Sequence, residues 1–329
     1  MLPLSACGEE KSTTQQIFAM DTVMDLTAYG KKADDGINAA ISIINSMDTL
    51  LDPENERSKT YEINHAMGSP VVVNEQIAKM LRTAQTVYER TNGAFDLTTY
   101  PLSKLWGFID QNYRVPSDAE IERLLPCVDM SKVQLAATDD SANSLVTMPA
   151  DMALSFGAVA KGCASEYAIQ AMRAAGVTSG VVSLGGNVQT LGKKPDGSDW
   201  NIAIQDPNDT GSYLGYLTVG ETAVITSGSY QRYFTEGGQK YHHILSPTTG
   251  RPVNNGLLAV TIVCEDGTLA DCLSTAMFVL GPQAALNYWR TYGGFEMLLV
   301  KTDGHVVLTN GLYGQFTPNG DSYVVDYAS

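Results

Sequence analysis

The chain has 329 residues, 44% of them hydrophobic, and a mean hydropathy of −0.08, so it can bury a sizeable core. A formal charge of −15 and an isoelectric point near 4.6 argue against a nucleic-acid partner, because binding a phosphate backbone depends on clustered Lys and Arg. No apolar run reaches the roughly eighteen residues of a membrane-spanning helix.

In chain order, Leu4-Ser5-Ala6-Cys7 matches a bacterial lipobox, and the polar run GEEKSTTQQ follows it. Residues 1–15 are therefore expected to form a lipid-anchored tether at Cys7, and residues 16–329 a single catalytic unit without repeats or long linkers. Residues 16–29 alternate as a strand. Ile37, Ile41, Ile44 and Leu51 form one helical stripe, and Ile77, Met80, Leu81, Ala84, Val87 and Tyr88 another. Ser117 and Glu120 have capping-box spacing before a short helix to residue 125. Strands are expected at 180–184, 200–205, 216–219, 260–264 and 297–301. Helices are expected at 161–175, 269–280 and 282–292, with Gly176 and Gly281 as stops. This mixture predicts an α+β fold of mixed and antiparallel sheets with packed helices. Cys127, Cys163, Cys264 and Cys272 lack CxxC spacing and sit among apolar neighbours, which fits core packing rather than zinc ligation.

The chemistry concentrates late in the chain. On a helix, Asp271, Ser274 and Thr275 stand at i, i+3 and i+4, so their oxygens share one face and form a hard donor set suited to magnesium. Thr226-Ser227-Gly228-Ser229, with Arg232 three residues on, reads as a turn able to cradle a pyrophosphate. The pair His242-His243 beside it supplies a candidate general base. FGAVAKG (156–162) reads as a strand running into a helix, with its carbonyls and Lys161 facing a phosphate and its metal. SLGGN (183–187) ends another strand in a turn that admits close backbone approach. Neither is a Walker A loop or a GxGxxG fingerprint.

AMDTVMDLTAYG, GAFDLTTYPLSKLWGF, FGAVAKGCASEYA, SLGGN, TSGSYQRYF, YHHILSPTTGRPV and ADCLSTAMFVLG, in this order, resemble the successive motifs of the ApbE-type FAD:protein FMN transferases. The resemblance implies that family's fold, with the active site in a cleft between two lobes. It also implies Mg2+-dependent transfer of FMN from FAD to a Thr or Ser hydroxyl of an acceptor flavoprotein, releasing AMP. Asp271 and Thr275, with the Ala158 carbonyl and Ser274 nearby, take the place of the metal ligands, and His243 that of the catalytic histidine. Met20, Ala94, Phe95, Asp96, Lys161 and Ile244 take the place of flavin-nucleotide contacts. Asp52-Pro53-Glu54-Asn55 stands where many members carry a stacking aromatic, which leaves Tyr61 as the ring expected at the adenine. Ser155 and Ser246 replace two frequent Asp residues. The implied setting is a membrane-anchored lipoprotein facing the periplasm or cell exterior, with an extracytoplasmic electron-transfer protein as acceptor. Two other outcomes stay open: an FAD pyrophosphatase giving FMN and AMP, and a non-catalytic FAD-binding lipoprotein.

Overall fold

The computed structural model describes residues 11–328, so the Cys7 motif lies outside the described residues. The first element is a hairpin, β1 (Ser12–Ala19) and β2 (Thr22–Tyr29), and not the single strand expected over 16–29. Met20 and Asp21 turn the chain with φ of 49° and 58°, the backbone a two-residue hairpin loop demands. No Gly or Asn announces this turn. A carboxylate from elsewhere helps hold it, because the Met20 amide donates to Asp48 Oδ1 at 2.8 Å.

There follow α1 (Ala33–Leu51), α2 (Lys59–His65), β3 (Val71–Asn74), α3 (Glu75–Arg90), α4 (Tyr100–Leu105), α5 (Asp118–Leu124), β4 (Gln134–Ala137) and β5 (Asn143–Thr147). Next come α6 (Ala160–Ala174), β6 (Gly180–Leu184), β7 (Asn187–Leu191), β8 (Trp200–Gln205), β9 (Tyr213–Val219) and β10 (Ala223–Gly228). A small hairpin of β11 (Tyr233–Glu236) and β12 (Gln239–His242) precedes β13 (Leu257–Cys264), α7 (Gly267–Leu280) and α8 (Pro282–Tyr292). The chain finishes with β14 (Glu296–Lys301), β15 (His305–Thr309), β16 (Phe316–Pro318) and β17 (Val324–Ala328).

Nine strands form the main sheet in the order β1-β2-β6-β7-β10-β13-β14-β15-β17, antiparallel throughout except for the parallel edge pair β15–β17. One face packs on α1, α6 and α7: Met24, Leu26, Val182, Ile225, Val260 and Ile262 join Ile37, Ile44, Cys163 and Met277 in the large core. The other face is covered by the three-stranded sheet β16-β9-β8, through Trp200, Ile202, Leu217 and Phe316 against Ala259, Leu298 and Val300. A strand buried on both faces reads as a continuous apolar run, which is how LLAVTIVC of β13 is written.

The large core continues without a break into α3 and the β3-β5-β4 sheet. A separate small cluster of Leu102, Trp106, Phe108, Ile121 and Leu245 joins α4, α5 and the β11–β12 hairpin, whose Phe234 and Tyr241 rings lie against it. The expected cleft therefore opens between one continuous core and this aromatic satellite.

The helices expected at 161–175, 269–280 and 282–292 are α6, α7 and α8 to within two residues. Gly176 and Gly281 follow α6 and α7 with φ of 93° and 81°. Two local expectations are corrected. Thr226–Gly228 is the end of strand β10, not a turn, because its backbone is paired to β13. The FGAVAKG segment enters α6 from a turn and not from a strand, since β5 ends at Thr147.

Candidate active site

A cavity of about 530 Å³ opens between the two parts. Its floor is built by the start of α7 against the start of α6. Asp266 caps α7 by accepting the Leu269 amide at 2.8 Å, and Asp271 lies one turn in, 4% exposed. Asp271 Oδ2 accepts the Gly162 amide at 2.8 Å, one of the free N–H groups of the first turn of α6. Asp271 Oδ1 accepts from Asn187 Nδ2 at 3.0 Å. That reach requires glycine at 162, where a Cβ would lie 2.2 Å from the Gly267 oxygen and 2.5 Å from Asp271 Cβ. Gly185 and Gly186, both with positive φ, make the tight β6–β7 turn that delivers Asn187. Burial pushes the Asp271 carboxyl above its ordinary range, while Lys161, the Gly162 amide and Asn187 pull it back.

Lys161, Ala158, Asn187, Ser227, Asp271 and Thr275 all line the cavity. Ser274 does not: fully buried, it donates to the Asp271 carbonyl at 2.8 Å and lies 2.8 Å from Ser227 Oγ. Ser227 Oγ is also 3.2 Å from Thr275 Oγ1. Among the described residues no group of three or more His, Cys, Asp and Glu is placed to hold a metal by itself. Of the residues that line the cavity, Asp271, Thr275 and Ala158 offer a buried carboxylate, a hydroxyl and a backbone carbonyl. This oxygen-only set fits magnesium, which keeps positions open for water and phosphate oxygens.

The opposite wall rides on the β11–β12 hairpin. Arg232 precedes it and His243 follows it, and the two ends are tied by the His243 amide donating to the Arg232 carbonyl at 3.0 Å. His243 Nδ1 lies 3.2 Å from the same carbonyl oxygen, so Nδ1 carries the hydrogen and Nε2 is left as an acceptor. Burial, then the Arg232 charge, push the His243 pKa from 6.5 down to about 3, so the ring is neutral at physiological pH. His242 is different. Its Nε2–H donates to the Val253 carbonyl at 2.7 Å and its Nδ1 accepts the Ile244 amide at 3.3 Å, so both nitrogens serve the fold. Of the two histidines, only His243 lines the cavity. The Arg232 guanidinium bonds the Phe108 carbonyl, and Trp106 Nε1 donates to the Gly250 carbonyl at 2.8 Å, tying this wall to the aromatic satellite.

Met20, Ala94, Phe95, Asp96, Arg232 and Ile244 are all brought to the cavity. Asp96 has little left to offer a ligand, since its carboxylate accepts the Thr98 amide and hydroxyl and the Met130 amide, folding the loop that presents Ala94 and Phe95. Tyr61 is not brought there. It sits on α2, stacked on His65 with ring centroids 3.8 Å apart, and is not among the residues lining the cavity. In its place stand Tyr100 and Glu54, joined by a hydrogen bond from the phenol to the carboxylate, with Lys104 Nζ 2.9 Å and 3.0 Å from the two Glu54 oxygens. Sequence reasoning missed Tyr100, although it lies inside the GAFDLTTYPL motif, and missed Asn187 at the end of SLGGN.

Comparison with known proteins follows the same boundaries. A profile described as the ApbE family matches residues 20–299. The chain is 30% identical over 285 residues to an FAD:protein FMN transferase of Klebsiella pneumoniae, covering 86% of this chain and 87% of that protein. It is 30% identical over 307 residues to the FAD:protein FMN transferase of Treponema pallidum, covering 88% and 85%. The crystal structure of the ApbE protein from Thermotoga maritima superposes with a TM-score of 0.86 at 30% identity, over 93% of this chain and all of that one. From the Met20 turn through the Asp271 helix to β14, the chain belongs to the ApbE family.

Proposed function

We propose that the protein transfers FMN from FAD to a Thr or Ser hydroxyl of an acceptor flavoprotein, releasing AMP, with Mg2+ as the required ion. The observation that carries this reading is a single cavity in which an oxygen-donor floor and Lys161 face a neutral imidazole and Arg232. Relatives named FAD:protein FMN transferase support the same chemistry.

Asp271, Thr275 and the Ala158 carbonyl would hold the magnesium, which when bound supplies charge neutralisation at the phosphate oxygens. Lys161 and Arg232 bind and orient the pyrophosphate of FAD from opposite walls. The acceptor oxygen attacks the FMN phosphorus while His243 Nε2 takes its proton. A new P–O bond forms, the bond to the bridging oxygen breaks, and AMP departs with that oxygen. Burial is the larger cause of the His243 depression and the Arg232 charge the second, and a pyrophosphate beside Arg232 would offset the second of these.

The Leu4-Ser5-Ala6-Cys7 run and its polar sequel support a companion reading, that the protein is held at the membrane by a lipid on Cys7 and meets its acceptor outside the cytoplasm. Incubation with FAD, Mg2+ and a candidate acceptor tests the function. Flavin fluorescence that stays with the acceptor through denaturing electrophoresis, with matching AMP, is the expected result. AMP without labelling would make the protein an FAD pyrophosphatase, and neither product would leave an FAD-binding lipoprotein.

A further inference from the structure

The hydroxyls around α7 form a chain whose direction is set by its last member. Ser274 Oγ lies 2.8 Å from the Asp271 carbonyl oxygen, which can only accept, so the single Ser274 hydrogen is spent there. Ser227 Oγ, 2.8 Å from Ser274 Oγ, must then donate to Ser274. With its own hydrogen spent, Ser227 can only accept across the 3.2 Å contact from Thr275 Oγ1. Thr275 has no other hydrogen-bond partner among the described residues and lines the cavity. Its hydrogen therefore points away from the cavity and its lone pairs point in, beside the acceptor-only carboxylate of Asp271.

We propose that Ser227 and Ser274 are positioning residues whose one-way relay, Thr275 to Ser227 to Ser274 to the Asp271 carbonyl, presents Thr275 as a pure acceptor to the divalent cation. The proposal rests on the magnesium reading of the preceding section. It changes the roles expected from the sequence, in which Ser274 was a ligand and Ser227 a nucleotide contact. A hydroxyl free to rotate would spend part of its time with its hydrogen toward the cation, a repulsive arrangement. Partners that orient a ligand from behind are typically worth about 10–100-fold in metal affinity.

The test is Mn2+ binding to the FAD-free protein, followed by the electron paramagnetic resonance signal of free Mn2+ and repeated with Mg2+ as competitor. Ser227→Ala and Ser274→Ala should each weaken Mn2+ binding by about tenfold or more, although the Ser274 side chain does not line the cavity. The double variant should be no weaker than either single one, because both break the same chain. Ser227→Thr, which keeps the hydroxyl, should bind like the parent, and melting temperatures identify any variant that fails to fold. Parent-like affinity in both alanine variants, additive losses in the double one, or a loss in Ser227→Thr equal to that in Ser227→Ala would overturn the relay. The magnesium reading fails separately: Asp271→Ala binding Mn2+ as well as the parent, or a parent that binds none, removes the cation from this floor and the relay with it.

Discussion

The two walls of the cavity are built on different foundations. The floor at Asp271 belongs to the large core, where α6 and α7 meet through Gly162 and Gly267 and each Asp271 oxygen has an inward partner. The His243 wall stands on a two-stranded hairpin whose apolar support is a cluster of five buried side chains, Trp106 among them. The floor is fixed by a buried carboxylate held between a backbone amide and the Asn187 side chain, inside the large core. The other wall is fixed by a few side-chain bonds, such as Trp106 to Gly250. Substitutions in the floor should therefore abolish chemistry, whereas those in the hairpin wall should lower it by degrees.

The largest effect is expected from Asp271→Ala, which removes the only carboxylate in the donor set. Turnover at limiting Mg2+ should fall by on the order of a thousandfold, and rates equal to the parent would refute the assignment. Asp271→Asn sharpens the point by separating charge from shape. Burial raises the folded-state pKa of this carboxyl above its unfolded 3.8, so ionising it costs stability as pH rises past that value. The amide keeps an acceptor for the Gly162 N–H, and Asn187 can turn its Oδ1 toward the new NH2 group, so the variant should melt close to the parent while losing activity; a sharp drop in melting temperature would show that the second acceptor oxygen is required by the fold.

Gly162→Ala comes next. Its Cβ meets the Gly267 oxygen and Asp271 Cβ, so α6 and α7 must separate, at a stability cost of about 1–3 kcal/mol. Activity should fall far more than that of a surface helix variant of equal melting temperature.

For the other wall, His243→Ala should slow transfer by roughly a hundredfold with little change in FAD affinity. A defect confined to binding would reassign His243 to substrate contact. Because its folded pKa is depressed to about 3 from 6.5, the ring stays neutral over the physiological range. The acid limb of kcat/KM attributable to His243 should then lie well below 6.5. By the same linkage, the stability it contributes is full above 6.5 and is lost as pH falls toward about 3. An acid limb at 6.5 that disappears in His243→Ala would contradict the neutral ring. The smallest effect is expected from Trp106→Phe, which leaves the Gly250 carbonyl without its donor. It should cost about 2 kcal/mol of stability and lower the rate only modestly, read by thermal melting and by steady-state kinetics.

Much of the floor was legible in the sequence because it obeys local rules. Asp271 and Thr275 share a helix face through their spacing of four, and the apolar periods of α1 and α3 are plain. The rest of the cavity was harder to read. β10 ends in Thr226, Ser227 and Gly228, small polar residue types that read as a turn, although the two hydroxyls are taken up by Thr261 and Ser274 of neighbouring elements. The Met20-Asp21 turn carries no glycine and leans on Asp48, 28 positions away from Met20. Glu54 and Tyr100 meet across 46 positions, a pairing that only the tertiary fold creates, and so the sequence pointed to Tyr61 and not to the ring that lines the cavity. The choice between His242 and His243 depended on which nitrogens the backbone had already claimed.

The central claim is that the Asp271 floor holds a divalent ion against the pyrophosphate of FAD. Diffraction from crystals grown with FAD and Mn2+ tests it most directly. An anomalous peak within ligand distance of Asp271, Thr275 and the Ala158 carbonyl, touching pyrophosphate oxygens, is the expected result. A peak on the His243 wall, or FAD bound in the cavity with no ion at Asp271, would contradict it.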